Sequence, residues 1–268
     1  MKKYIILSLL LIFVLYLFWG PLFPWNPLKI GYQKIQSEKC DLYIKDISSK
    51  DEIVYEIDKI IEEEEAWHDL KYKKKIKIII LDENSNMKRY LPWLKGGGYA
   101  VSMGFMNLVY IGSDIRKSKY GLEPYIKHEL SHLLLHQNMS QNKDAFEMKK
   151  QGWLKEGIAT HFGGPSFYQI EEFVSVCEEK GLDFSSLNEV DIWDVPVQDK
   201  KIRYSYYQYF IQFLVKEYGL DKMQIYLKKY LNNPIDYKNI FIEVYDENLN
   251  SILDKFNNYI KNKKNTTI

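Results

Sequence analysis

The chain has 268 residues, with 37 basic and 36 acidic side chains for a formal charge of +1, which gives no electrostatic case for nucleic acid as a partner. One sizeable domain, with or without an appendage, is the expectation at this length. Only Cys40 and Cys177 are present, far apart and outside any Cys-x-x-Cys, so a thiolate metal centre or a disulfide scaffold is excluded as organising principle, while one bridge between them stays open.

Met1-Lys2-Lys3 is a short basic cap on an almost wholly apolar run from Tyr4 to Trp19, followed by Gly20-Pro21-Leu22-Phe23-Pro24-Trp25. About twenty apolar residues in a helix span a hydrocarbon core. A cleaved signal peptide would leave through small residues, whereas this exit carries Phe and Trp, which suit a membrane interface. Residues 1–25 are therefore read as a membrane anchor. The lysines ahead of it favour a cytoplasmic N-terminus, which implies a single-pass protein of the cell membrane with its main domain outside the cytoplasm. Pro27 and Gly31 mark residues 26–40 as a linker, and residues 41–268 as the domain.

Asp51 to His68 places Ile53, Val54, Ile57, Ile60 and Ile61 at helical spacing with acids on the other face. Lys75 to Leu81 is short, β-branched and closed by Asp82, the mark of a strand, and the lysines ahead of it read as a solvated edge. Gly96-Gly97-Gly98 breaks the chain, and two further strands are expected over 99–103 and 107–111. From Leu122 the pattern is helical, in pieces near 122–137, 148–162, 166–180, 203–218, 221–231 and 249–262. A strand-containing first half before an all-helical second half predicts an α+β domain in two lobes.

Residues 127–136 read Lys-His-Glu-Leu-Ser-His-Leu-Leu-Leu-His. On a helix, His128 and His132 lie one turn apart on one face, so two imidazoles can converge on one zinc ion. Glu129, about 100° round, can reach water at the metal without ligating it. Pro124 and Glu123 suit a helix start, and Ile126, Leu130, Leu133 and Leu134 form an apolar stripe turned away from the histidines. The candidate third ligand is Glu156, in the next helical piece, within Trp153-Leu154-Lys155-Glu156-Gly157-Ile158-Ala159. Two His and one Glu make a catalytic zinc set, which keeps a coordination position open.

His-Glu-x-x-His followed by Trp-Leu-x-Glu-Gly-x-Ala resembles the gluzincin metallopeptidases, specifically the bacterial peptidase MA-like families. Tyr204-Ser205-Tyr206-Tyr207 through Tyr218-Gly219 looks like the family's tyrosine-bearing helix, and Phe241 to Ile260 like its C-terminal helical module. The resemblance covers residues 50–262. It implies a two-lobed, thermolysin-like catalytic domain with a small mixed sheet before an all-helical lobe. It also implies Zn2+ on His128, His132 and Glu156, Glu129 as general base, and Tyr204 (with Tyr207 in reserve) as oxyanion donor to a peptide or protein substrate. The segment Gly98 to Ile111 is a candidate edge for an extended substrate.

Other zinc clans fail on residues: Leu135 and Asn138 stand where a metzincin needs Gly and His. His136 and His161 are read as supporting or core residues, because a fourth protein ligand would close the catalytic position. Thr160 stands where thermolysin-like enzymes carry an Asp that orients a zinc histidine; its hydroxyl would accept more weakly. No Glu occurs between Asn84 and Leu122, so the aminopeptidase phrase that binds a free amine is missing. That favours cleavage within chains. The competing expectations are a membrane-tethered, peptidase-like binding or regulatory protein, and a zinc hydrolase that is not a protease.

Overall fold

The computed structural model describes residues 2–26, 28–45, 51–82, 87–92, 100–112, 115, 118, 120–140, 151–164, 166–184 and 197–263. It is an α+β protein with a small mixed sheet, a mostly helical body and an apolar N-terminal helix. It divides into two compact units, Met1–Ile61 with Lys74–Glu129, and Glu62–Lys73 with Leu130–Ile268. Two of the three boundaries fall inside helices, so that α2 (Asp51–His68) and α4 (Glu123–Asn138) each belong partly to both. The expected break at Gly96-Gly97-Gly98 lies outside the described residues.

The first unit opens with α1 (Lys2–Trp19), the one helix among the described residues long and apolar enough to cross a membrane. None of its side chains is buried. Beyond it stand β1 (Gln33–Gln36), β2 (Cys40–Ile44), β3 (Ile76–Ile80), the short α3 (Met87–Tyr90), β4 (Ala100–Met103) and β5 (Leu108–Ile111). The sheet order is β1-β2-β3-β5-β4. β2, β3 and β5 run parallel, and β1 and β4 are antiparallel edge strands. The β2–β3 pair is parallel because the crossover through α2 allows it; a tight turn would force the opposite sense. In β3, Ile76, Ile78, Ile79 and Ile80 are all buried, the continuous apolar run of a strand covered on both faces.

Here the structure differs from the linker expected over 26–40. Residues 33–36 form β1, and Asn26 and Lys29 are buried. Phe23, from the end of the expected anchor, packs in the sheet core against Tyr32 and Tyr90, with ring centroids 5.5 and 5.1 Å away. Lys29 Nζ donates to the carbonyls of Phe23 and Asn26 at 3.2 and 2.7 Å. Burial pushes its pKa down to about 8. Gly31, at a φ of +80°, thus lies in a turn rather than in a flexible tether. Both cysteines are free and buried, and burial pushes each thiol up to about 12, which leaves them unreactive.

The second unit contains α5 (Gly152–Gly163), α6 (Ile170–Glu179), α7 (Val197–Tyr218), α8 (Leu220–Asn232), α9 (Tyr237–Tyr245) and α10 (Leu249–Lys263). Its core is aromatic: Trp153, Phe173, Tyr206, Tyr207, Phe210, Tyr226, Phe241, Tyr245 and Phe256 are all buried. α5 lies tightly along α7. A Cβ on Gly157 would stand 2.8 Å from the Tyr207 carbonyl oxygen and 2.9 Å from Ile211 Cγ1, so glycine is what permits the approach.

Candidate metal centre

α4 holds its histidines as the helical spacing requires. Ile126, Leu130, Leu133 and Leu134 are fully buried, while His128 is half-buried and His132 and Glu129 retain slight exposure. Glu156 is buried on α5. Trp153 and Gly157, in the phrase around it, each have a physical task. Trp153 packs against Phe210 and Phe241, with its indole N–H donating to Gln151 Oε1 at 3.0 Å. Gly157 admits α7, and between them Glu156 turns to α4.

One ligand atom from each of His128, His132 and Glu156 lies within 4.8 Å of the other two. His132 Nε2 is 3.2 Å from Glu156 Oε2, and Lys155 Nζ is 3.2 Å from the other oxygen, Oε1. Two ligands about 2.0–2.1 Å from a tetrahedral zinc ion sit about 3.3 Å apart, so the His132–Glu156 pair already has the required separation. A hydrogen-bonded His–Glu pair would need no third partner; the approach of His128 is what fits a metal. The donor set, two imidazoles and one carboxylate, is chemically suited to zinc. His136 and His161 lie outside this group.

From residue 60 to 262 the chain matches the family model of the Peptidase MA superfamily. The chain belongs to that superfamily. Its matched region takes in α4, α5 and the aromatic helical core, and it makes the chain a peptidase-like protein. No curated protein matches it.

The tyrosines expected at the superfamily's oxyanion position both lie on α7, in different settings. Tyr207 is 1% exposed, a core residue whose ring meets Gly152. Tyr204 is half-buried, its ring 5.8 Å from that of Phe167. Thr160 does not show the hydrogen bond to an imidazole that its position suggested: its hydroxyl is buried without a partner among the described residues. His161 instead packs its ring 5.5 Å from Trp67, and burial lowers its pKa.

A buried polar cluster on α2 escaped the sequence. Glu62 to Glu65 read as a solvated acidic face, yet Glu64 and His68 are fully buried and Glu65 nearly so. Ser131, between Glu129 and His132 on α4, donates to Glu64 Oε1. His68 Nδ1 is 2.8 Å from the Glu64 carbonyl oxygen, and burial pushes the imidazole down to about 4, so it is neutral and donates there. Glu65 accepts from the Tyr72 amide at 3.0 Å and from Lys71 Nζ at 2.9 Å. The same stretch is tied to α4 by Tyr72 Oη to the Leu130 carbonyl (2.9 Å), the Lys73 amide to Gln137 (2.7 Å) and Asn138 to the Lys71 carbonyl (3.0 Å). These bonds fix α4, the helix of His128 and His132, about its own axis. The hint in the chain was Ser131, a small polar residue within the largely apolar run from Leu130 to Leu135.

Proposed function

We propose that this protein is a membrane-anchored zinc metallopeptidase of the gluzincin type that hydrolyses bonds within peptide chains. The observation that carries the reading is the convergence of His128, His132 and Glu156 to within 4.8 Å. Membership of the superfamily supports it at the level of a peptidase.

His128, His132 and Glu156 would hold zinc, which would supply Lewis acidity towards a carbonyl oxygen and towards water. Glu129, next to a ligand but turned away from it, takes the water proton and passes it to the leaving amine. Tyr204 is the donor proposed for the developing oxyanion: it keeps partial exposure, whereas Tyr207 is enclosed. The outer edge of β4 offers main-chain groups to an extended peptide. α1, with its basic start and aromatic exit, is proposed to hold the chain in the cell membrane with the catalytic part outside the cytoplasm.

The test is Glu129→Gln and His132→Ala in the full-length protein, read by zinc content and by cleavage of a peptide library. Glu129→Gln keeps the metal and lowers the rate about a hundredfold to ten-thousandfold. His132→Ala loses zinc together with activity. Full activity in Glu129→Gln would refute the mechanism. If Glu129→Gln matches the wild type in cells and neither cleaves peptide, the tethered binding protein is the better description; zinc-dependent hydrolysis of other bonds alone would favour the non-proteolytic hydrolase.

A further inference from the structure

Beyond Trp19 the chain does not leave α1 as a loose tether. The amides of Gly20 and Leu22 both donate to the Tyr16 carbonyl at 3.1 Å, closing the helix end. A Cβ on Gly20 would stand 2.8 Å from Tyr16 Cα. Phe23 then locks into the sheet core against Tyr90, whose neighbour on α3 is Arg89. The joint therefore fixes where Arg89 stands relative to the end of α1. Between them lies an open hollow of about 510 Å³ lined by Leu15, Tyr16, Trp19, Pro21, Arg89 and Pro92. Its walls are mainly apolar, and Arg89 supplies the one charged side chain among the lining residues. Arg89 is exposed, and among the described residues it has no acidic partner.

Depth supplies the second half of the argument. Eighteen helical residues rise about 27 Å, close to the thickness of a hydrocarbon core of about 30 Å. Trp19 thus falls at the level where acyl chains meet headgroups, and Arg89 faces the hollow from that level. A guanidinium there pairs with a phosphate through a charge-assisted, two-pronged hydrogen bond. Leu15 and Tyr16 meet an acyl chain below it. We propose that this hollow binds one anionic phospholipid, its headgroup phosphate on Arg89 and its upper acyl chain against α1. The site rests on the membrane-anchored reading above, and it would hold the first unit at a fixed tilt on the bilayer surface.

The test uses full-length protein and its Arg89→Gln variant, extracted from vesicles of phosphatidylcholine with or without phosphatidylglycerol and examined by native mass spectrometry. Wild type should retain one phosphatidylglycerol and no phosphatidylcholine, and Arg89→Gln should lower that retention about fivefold, the effect of one basic side chain near an anionic surface. Peptide hydrolysis should stay unchanged, since Arg89 touches none of the proposed catalytic residues. Equal retention of both lipids, unaltered retention in the variant, or displacement by inorganic phosphate would each overturn the site. Carbonate-resistant sedimentation of both variants with membranes keeps those failures separate from the anchor. A wild-type chain recovered in soluble form, beginning beyond Trp19, would end both readings.

Discussion

In the sheet unit the buried side chains are mainly aliphatic, Ile76, Ile78, Ile79, Ile80, Val109 and Ile111 among them, whereas the helical unit buries Glu64, His68, Ser131, His132, Glu156, Thr160, Arg203 and Gln208 within an aromatic core. Buried polar groups cost stability unless they are hydrogen-bonded, and buried charges cost more. Their concentration in one unit marks where the fold gives up stability to hold chemistry. The sheet unit's exceptions are informative too: Asn26 and Lys29 sit at the joint after α1, and Glu129 beside His128 on α4. One unit is thus a scaffold, and the other carries most of the candidate centre.

The largest effect on stability is expected in the scaffold. Phe23→Ala removes a ring that is 2% exposed and should cost about 3–5 kcal/mol, read as a lower Tm of the full-length protein in detergent. Zinc content per folded chain should not change. Loss of zinc in proportion to Phe23 destabilisation would break the division of labour.

Next comes acid sensitivity in the helical unit. His68 is held down to about 4 by burial, against an ordinary value near 6.5. The unfolded chain therefore takes up a proton over a range where the folded chain refuses it. Stability is full above pH 6.5 and falls by up to about 3 kcal/mol as pH drops towards 4. The groups facing His68 are Glu64 and His161, and the lowered pKa of His161 acts in the same direction. Urea midpoints across this window should slope less in His68→Gln than in wild type; parallel slopes would show that His68 is not the cause.

A third change tests the close approach of α5 and α7. Gly157→Ala puts a methyl group against backbone, so its cost should reach about 3 kcal/mol. Because Glu156 is the preceding residue, zinc affinity should fall alongside Tm. An unchanged zinc affinity would mean that α5 shifts without moving its carboxylate.

The smallest effect is the most discriminating. Ser131→Ala deletes the hydroxyl that donates to Glu64 and should cost about 1–2 kcal/mol. If the cluster on α2 sets the rotation of α4, zinc binding weakens while Phe23 variants of equal Tm leave it alone. Equal zinc binding in the two would assign Ser131 to stability only.

Much of the molecule was legible in the chain because its signals are local. The β-branched β3 and the 3.6-residue stripe of α4 each report burial through neighbours a few residues away, and the apolar run of α1 reports a long apolar helix in the same local way. His128 and His132 share a face by helix geometry alone, and Glu156 was marked by its phrase. β1 was missed because Gln-Lys-Ile-Gln is a polar, exposed edge strand that needs only main-chain partners. The edge read into Gly98 to Ile111 resolves into β4 at the rim, with β5 paired on both sides.

Tertiary structure alone decided which polar residues go inside. Glu64 and Ser131 are 67 positions apart, and no pattern within α2 distinguishes a solvated glutamate from one that receives a hydroxyl from α4. Gly157 likewise reads as a helix-weakening residue until the Tyr207 carbonyl appears 2.8 Å from where its Cβ would be. Periodicity records whether a face is apolar, a property of the segment itself. Partners that make a buried charge tolerable belong to another segment, and only the folded chain brings them together.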